Sequence, residues 1–406
     1  MSDFDAELHS ELDSIAQQGL RRELRRVDSP QSTRIEFGGR TLLNFSSNDY
    51  LGLANHPAVK QAAIEAMEKF GAGSGASRLI CGSLAPHHEL EEALAAFKGT
   101  EAALSFSSGY ATALGTIQAL VGKDDVIVLD KLVHASIVDA ARLSGAALRV
   151  FKHNDLEDLE RILKWANGLQ LSSTARARKP RVFVATESVF SMDGDLAPLR
   201  DIVVLKEKYG AWLMVDEAHG TGLFGETGRG VAEACGVGEQ IEIQMGTLGK
   251  AIGSAGGYIC GSRALIDLLV NRARSFIFST APMPAQSAAA RAGVELVQSD
   301  EGRARRAKTW LLIDRMKNEL INTGWALPVV QSAVVPLIVG AEMEAVQIAT
   351  RLRDDGVFVP AIRYPTVARG KARLRVTLTA EHTIEDIRTL VMRLNATRKL
   401  PVADSH

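Results

Sequence analysis

Lys250 lies in the run MGTLGKAIG (245–253), downstream of an aspartate and a histidine, Asp216 and His219, in VDEAHGTG (215–222). Together the three side chains suit one piece of chemistry. A lysine amine can carry pyridoxal 5'-phosphate as a Schiff base, a carboxylate can keep the ring nitrogen protonated, and an imidazole can reach the phenolic oxygen. Trp212, Leu213, Met214 and Val215 read as a buried strand that ends at Asp216, the end where ligands of α/β sheets gather. A carboxylate buried there is costly without a permanent partner, and a pyridinium N–H is such a partner.

Two other readings of the same letters fail. Asp-Glu-Ala-His (216–219) spells a helicase Walker B box, but the chain has no P-loop: Gln244 stands where the first glycine belongs and Ala251 where a Ser or Thr belongs. Gly220, Gly222 and Gly225 have dinucleotide-fingerprint spacing, yet they run into Glu226–Gly230, which has loop composition instead of opening a helix. The small residues around Lys250 (Gly246, Gly249, Gly253, Ser254, Gly256 and Gly257) read as room for a bulky ligand to approach the backbone.

The elements that position these residues follow from patterning. A chain of 406 residues that is 46% hydrophobic can fill at least one large core, and a formal charge of −1 gives no general pull toward nucleic acid or membrane. Cys81, Cys235 and Cys260 are widely spaced and form no metal-ligand pattern, so they read as buried free thiols of a soluble cytoplasmic protein. The acidic start and the lack of a long apolar stretch give no secretory or membrane segment. Leu8, Leu12, Ile15, Leu20 and Leu24 predict an amphipathic helix from about Asp3 to Val27 that ends in a basic cluster, and residues 34–45 predict a hairpin with a Gly-Gly turn. Short apolar strands at 102–106, 126–129, 148–151, 182–186, 213–215 and 258–260 alternate with helical segments, which argues for an α/β fold with a mostly parallel sheet between helices. A charged helix over 300–323 leads to strands at 334–339, 357–360 and 374–378, and residues 169–180 read as an exposed loop. The expected organisation is an arm and hairpin over 1–45, a large cofactor-binding domain over 46–290 and a smaller α+β domain over 291–406.

Eight blocks, NFSSNDYLGL, FGAGSGASRLICG, FSSGYATA, DKLVHASIVD, TESVFSMDGD, VDEAHGTGLFG, GTLGKAIG and FSTAPMP, resemble the α-oxoamine synthases over essentially the whole chain. These are fold-type-I pyridoxal-phosphate enzymes that join an amino acid to an acyl thioester with loss of CO2. The segments 361–367 and 372–379 look most like members that condense L-alanine with a pimeloyl thioester, of CoA or of a carrier protein, in biotin biosynthesis. Members using glycine and other acyl chains remain open, because Ala368–Lys371 departs from the usual Pro-x-Gly-Thr and Tyr364 is often another residue. Subunits that keep the fold without the lysine are disfavoured by Lys250 itself.

The resemblance implies a role for each matching residue. Lys250, Asp216, His219 and a ring-stacking His134 form the catalytic group, and Ser108, Gly109, Tyr110 and Thr247 cradle the phosphate. Ser188 hydrogen-bonds near the phenolic oxygen, and Ser279 and Thr280 reach the phosphate of a neighbouring subunit, which implies a homodimer with shared sites. Arg363 grips the amino-acid carboxylate, Asn48 lies near the bound amino acid, and Arg21 or Arg22 meets the acyl substrate, with Arg22 the residue chosen. No metal is expected.

Overall fold

The computed structural model of the chain describes residues 3–171, 178–321, 323–325 and 330–398; the middle of the predicted 169–180 loop lies outside them. Two compact units divide the chain, one of Asn48–Ser191 and Asp195–Lys308, the other of Met1–Ser47, Met192–Gly194 and Thr309–His406.

The second unit begins with a helix, Asp3–Gln17, that stops well short of the predicted Val27. The reason is Gly19, whose φ of 67° takes the chain out of the helix; a Cβ there would lie 2.7 Å from Met343 Sδ. Strands β1 (Arg34–Phe37) and β2 (Arg40–Asn44) then form the expected hairpin, whose two turn residues, Gly38 and Gly39, both have positive φ, as a tight two-residue turn requires.

A seven-stranded sheet organises the first unit: β3 (Ala102–Phe106), β4 (Val126–Asp130), β5 (Ala147–Phe151), β6 (Val182–Glu187), β7 (Trp212–Asp216), β8 (Ile243–Thr247) and β9 (Gly257–Gly261), in the order β3-β9-β8-β7-β6-β4-β5. Strands β4 to β8 run parallel, and β9 is antiparallel to both its neighbours. The inner strands are continuous apolar runs because helices cover both faces, so no polar alternation marks them. Sequence patterning missed β8, since Gly246 interrupts it. That glycine sits opposite Tyr258 of β9, and a Cβ would land 2.3 Å from the tyrosine Oη.

In the second unit, β10 (Val334–Gly340), β11 (Val357–Phe358), β12 (Ala361–Ile362) and β13 (Ala372–Thr377) make two small sheets, β10-β13-β12 and β1-β2-β11. The hairpin is therefore joined through β2 to a strand more than 300 residues further along the chain. The charged helix spans Asp300–Leu320, ending slightly before the predicted Thr323. The expectation of uniformly buried thiols is corrected: Cys260 is buried, Cys235 half-buried and Cys81 exposed.

Candidate active site

The carboxyl ends of neighbouring strands converge on one cavity. β7 ends at Asp216 and β6 at Glu187, paired in register. β8 ends at Thr247, shortly before Lys250, and β3 runs through Ser108 into the helix Gly109–Leu120. β4 leads to His134, the cap of the helix Ala135–Ser144. Lys250, Asp216, His219, His134, Glu187, Thr247, Gly109 and Tyr110 line a cavity of about 210 Å³.

Each group is held by a local contact. Lys250 Nζ donates to Thr247 Oγ1 at 3.2 Å. Asp216 Oδ1 accepts the Ala218 N–H at 2.9 Å. Burial raises the Asp216 pKa, and the Lys250 ammonium is the largest opposing influence. His219 Nδ1 is 2.5 Å from the hydroxyl of buried Tyr50. His134 Nδ1 lies 2.8 Å from Ser136 Oγ; desolvation lowers its pKa, Asp216 opposes that, and Lys250 adds to it. Next to Gly109, the Ser108 side chain accepts the Ala111 N–H at 3.1 Å, capping a helix whose N-terminus suits an anion. A Cβ on Gly109 would meet Thr247 Cγ2 at 2.6 Å, so only glycine lets the helix start and the end of β8 form a single cradle.

The remaining predicted residues are placed differently. Ser188 is fully buried away from the cavity lining, and its Oγ donates to Glu217 Oε2 at 2.6 Å. Glu217 in turn accepts the N–H groups of Val231 and Ala232, so Ser188 helps anchor the loop after β7. Asn48 Oδ1 lies 3.5 Å from the Tyr50 hydroxyl and so sits beside the His219 contact. Tyr110 donates to Asp139 at 2.8 Å. Ser279 and Thr280 follow the short helix Arg274–Ile277, and Thr280 bridges to Ser77.

Arg21, Arg22 and Arg363 meet within the second unit, lining a basic cavity of about 370 Å³ with Arg25 and Arg353. Desolvation, then Arg22 and Arg25, lower the Arg363 pKa.

The reading of the glycines around Lys250 as ligand room is corrected. A Cβ on Gly253 would strike the Leu53 backbone at 2.5 Å and one on Gly257 would strike Thr112 Oγ1 at 2.4 Å, so these positions serve chain-to-chain contact. Residues 220–225 are turn, and the next helix begins only at Val231. Sequence reasoning missed Tyr50 and Glu187. Tyr50 carried no local signal, whereas Glu187 ends an apolar run just as Asp216 does, a mark that was there to be read.

The chain belongs to the aminotransferase class I and II family, whose model matches residues 40–394. Among its relatives, the 8-amino-7-oxononanoate synthase of Geotalea daltonii is 48% identical over 393 residues, which are 97% of this chain and 98% of that one. A serine palmitoyltransferase of S. paucimobilis, solved with PLP bound, superposes with a TM-score of 0.88 at 31% identity, covering 98% of this chain and 97% of that one. The 8-amino-7-oxononanoate synthase of Francisella tularensis gives 0.73 at 27% identity over 88% of this chain and 98% of that one. The residues present fit pyridoxal phosphate on two structural grounds: a buried Asp216 carboxylate whose pKa burial raises, and a cradle at Gly109 and Thr247 that a Cβ would fill.

Proposed function

We propose that this chain joins L-alanine to a pimeloyl thioester, of CoA or of a carrier protein, releasing CO2 and the free thiol and giving 8-amino-7-oxononanoate for biotin synthesis. One observation carries the reading: Lys250, Asp216, His219 and His134 converge on a single cavity in a chain 48% identical to an enzyme of that name. Pyridoxal 5'-phosphate is the cofactor, and when bound it supplies an electron-withdrawing ring that takes up negative charge developing at the substrate Cα.

The chain's own groups do the rest. Asp216 as a carboxylate holds a proton on the ring nitrogen, which relieves its own uncompensated burial. Lys250 Nζ, steadied by Thr247 Oγ1, removes the Cα proton and later returns it. His134 packs its ring against the cofactor face, and the Tyr50 hydroxyl on Nδ1 leaves the Nε2–H of His219 to donate to the phenolic oxygen. The N–H groups of Gly109 and Tyr110 and the Thr247 hydroxyl hold the phosphate. Arg363 takes the amino-acid carboxylate, Asn48 lies beside the amino acid, and Arg22 meets the acyl substrate.

A second copy of the chain completes the assembly. Phe278 and Met283 are 71% and 52% exposed, as are Leu79 and Ile80 at 50% and 78%, and the Ser77–Thr280 bridge ties these two segments together. Such a clustered apolar surface favours a homodimer in which Ser279 and Thr280 serve the partner's phosphate. Among the described residues no helix is long and apolar enough to cross a membrane. The proposed compartment is the cytoplasm, where free thiols such as those of Cys81, Cys235 and Cys260 persist.

The closer superposition on a serine palmitoyltransferase favours a second reading, serine with a long acyl chain. Purified protein assayed with alanine, glycine and serine against acetyl, succinyl, pimeloyl and palmitoyl thioesters separates the two. Alanine with pimeloyl thioester is expected to give the highest kcat/KM; a preference for serine with palmitoyl thioester would overturn the first reading.

A further inference from the structure

Glu187 is a buried acid at the centre of the cavity with no role in the chemistry above. It ends β6 as Asp216 ends β7, and the two are paired in register on adjacent parallel strands, so their side chains share a face. Both are buried, 2% and 5% exposed, and both line the cavity. Two carboxylates so placed, with the Lys250 ammonium as the nearby cation, do not both ionise in dry surroundings.

Burial and the neighbouring Asp216 charge make Glu187 the one that keeps the proton, against the accepted N–H, which favours the ionised form. Glu187 Oε2 accepts the Ser191 N–H at 3.2 Å. Its Oε1 is buried without a hydrogen bond. Burial, then the Asp216 charge, push the Glu187 pKa well up, with Lys250 opposing. One oxygen is thus occupied as an acceptor and the other is a buried orphan on a residue that lines the cavity, the pattern of a neutral acid with an unused O–H.

The strand order indicates which ligand atom it meets. Thr247 at the end of β8 marks the phosphate side, Asp216 on β7 marks the ring nitrogen, and Glu187 stands on β6, on the opposite flank. Pyridoxal phosphate carries its phosphate arm and its phenolic oxygen on opposite flanks of the ring. We propose that Glu187 is a cofactor-contacting acid that keeps its proton beside the Asp216 carboxylate and donates it, from Oε1, in a hydrogen bond to the phenolic oxygen of pyridoxal phosphate. This rests on the cofactor reading above.

The test compares the wild-type holoprotein with Glu187→Gln, which retains a donor and an acceptor of the same shape, and Glu187→Met, which has neither. Two quantities are read: the dissociation constant for pyridoxal phosphate added to apoprotein, and the pH midpoint of the visible absorption of the bound form. Asp216, Lys250, His134, His219 and Tyr110, the other titratable groups facing the cavity, are unchanged in both variants. Glu187→Gln is expected to stay within about threefold of wild-type affinity, whereas Glu187→Met weakens binding about tenfold. Losing the donor also raises the midpoint in Glu187→Met, because the phenolic oxygen then holds more strongly the proton it shares with the neighbouring nitrogen. Infrared spectra of the wild type should show a protonated-acid carbonyl stretch that Glu187→Gln lacks, a readout that stands even if Glu187→Met does not fold. Absence of that band, a Gln variant as impaired as Met, or a Met variant equal to wild type overturns the proposal. A wild-type chain that develops no visible band on adding pyridoxal phosphate defeats the cofactor reading itself, and this inference with it.

Discussion

The Tyr50 hydroxyl lies 2.5 Å from His219 Nδ1, joining the segment before the first helix of the large unit to the turn after β7. A phenol donating to Nδ1 places the imidazole proton on Nε2 and holds the ring plane. Tyr50→Phe keeps the buried ring and removes only that bond. kcat is expected to fall about tenfold, while the thermal midpoint and the KM for alanine change little. Steady-state kinetics beside a thermal melt check this, and an unchanged kcat would show that the contact does not orient His219.

Asp216 makes an opposite prediction for the apoprotein and the holoprotein. A carboxyl whose pKa is raised on folding binds its proton more tightly in the folded state, so it costs stability once the pH climbs through the raised value. Asp216→Asn removes that cost, and the apoprotein should melt about 2 °C higher at pH 8 than wild type. Pyridoxal phosphate should then stabilise the variant less than the wild type, and turnover should drop by about 100-fold or more. Melting curves of both proteins with and without cofactor decide the matter; equal stabilisation by cofactor in both would remove Asp216 from the ring nitrogen.

Much of this site was readable because strand and chemistry coincide in the letters. Apolar runs that end in a charged residue, Trp212–Asp216 above all, marked both the sheet and its functional edge. What escaped was whatever depends on partners distant in sequence. Gly246 looked like a strand breaker until Tyr258 of the neighbouring strand explained it. The resemblance put Ser188 near the phenolic oxygen, yet the adjacent Glu187 is the one that lines the cavity, since successive side chains of an extended chain point to opposite sides. The helical arm ends early at Gly19 because its φ and the closeness of Met343 override the leucine spacing.

His153 bridges two carboxylates, Asp130 at 2.9 Å and Asp195 at 2.7 Å. Desolvation alone would lower its pKa, but the bonds to Asp130 and Asp195 outweigh it and push the value up to about 10. A histidine whose pKa rises on folding contributes stability that is complete below its unfolded value of 6.5 and is lost as the pH rises through about 10. His153→Leu should therefore cost about 3 kcal/mol at pH 7, and the difference from wild type should shrink at pH 10.5. Urea midpoints at both pH values measure it, and a difference that does not shrink would mean that the imidazolium is not what binds the two acids.

Arg363 places its guanidinium against the arm: Nη1 donates to the Gly19 carbonyl at 2.5 Å and Nη2 to the Arg21 carbonyl at 2.7 Å, while Arg22 donates to the Tyr364 carbonyl at 3.4 Å. A planar fork can hold two carbonyls and still present N–H groups to a carboxylate, which a lysine ammonium on a flexible stem does not reproduce. Arg363→Lys is expected to raise the KM for alanine about 30-fold with a smaller change in kcat. It should also loosen the arm, so that trypsin cuts after Arg21 and Arg22 sooner than in wild type. The two readouts separate the roles: faster cleavage with an unchanged KM would leave Arg363 as an anchor for the arm alone, whereas a raised KM with the arm still protected would assign it to the carboxylate alone.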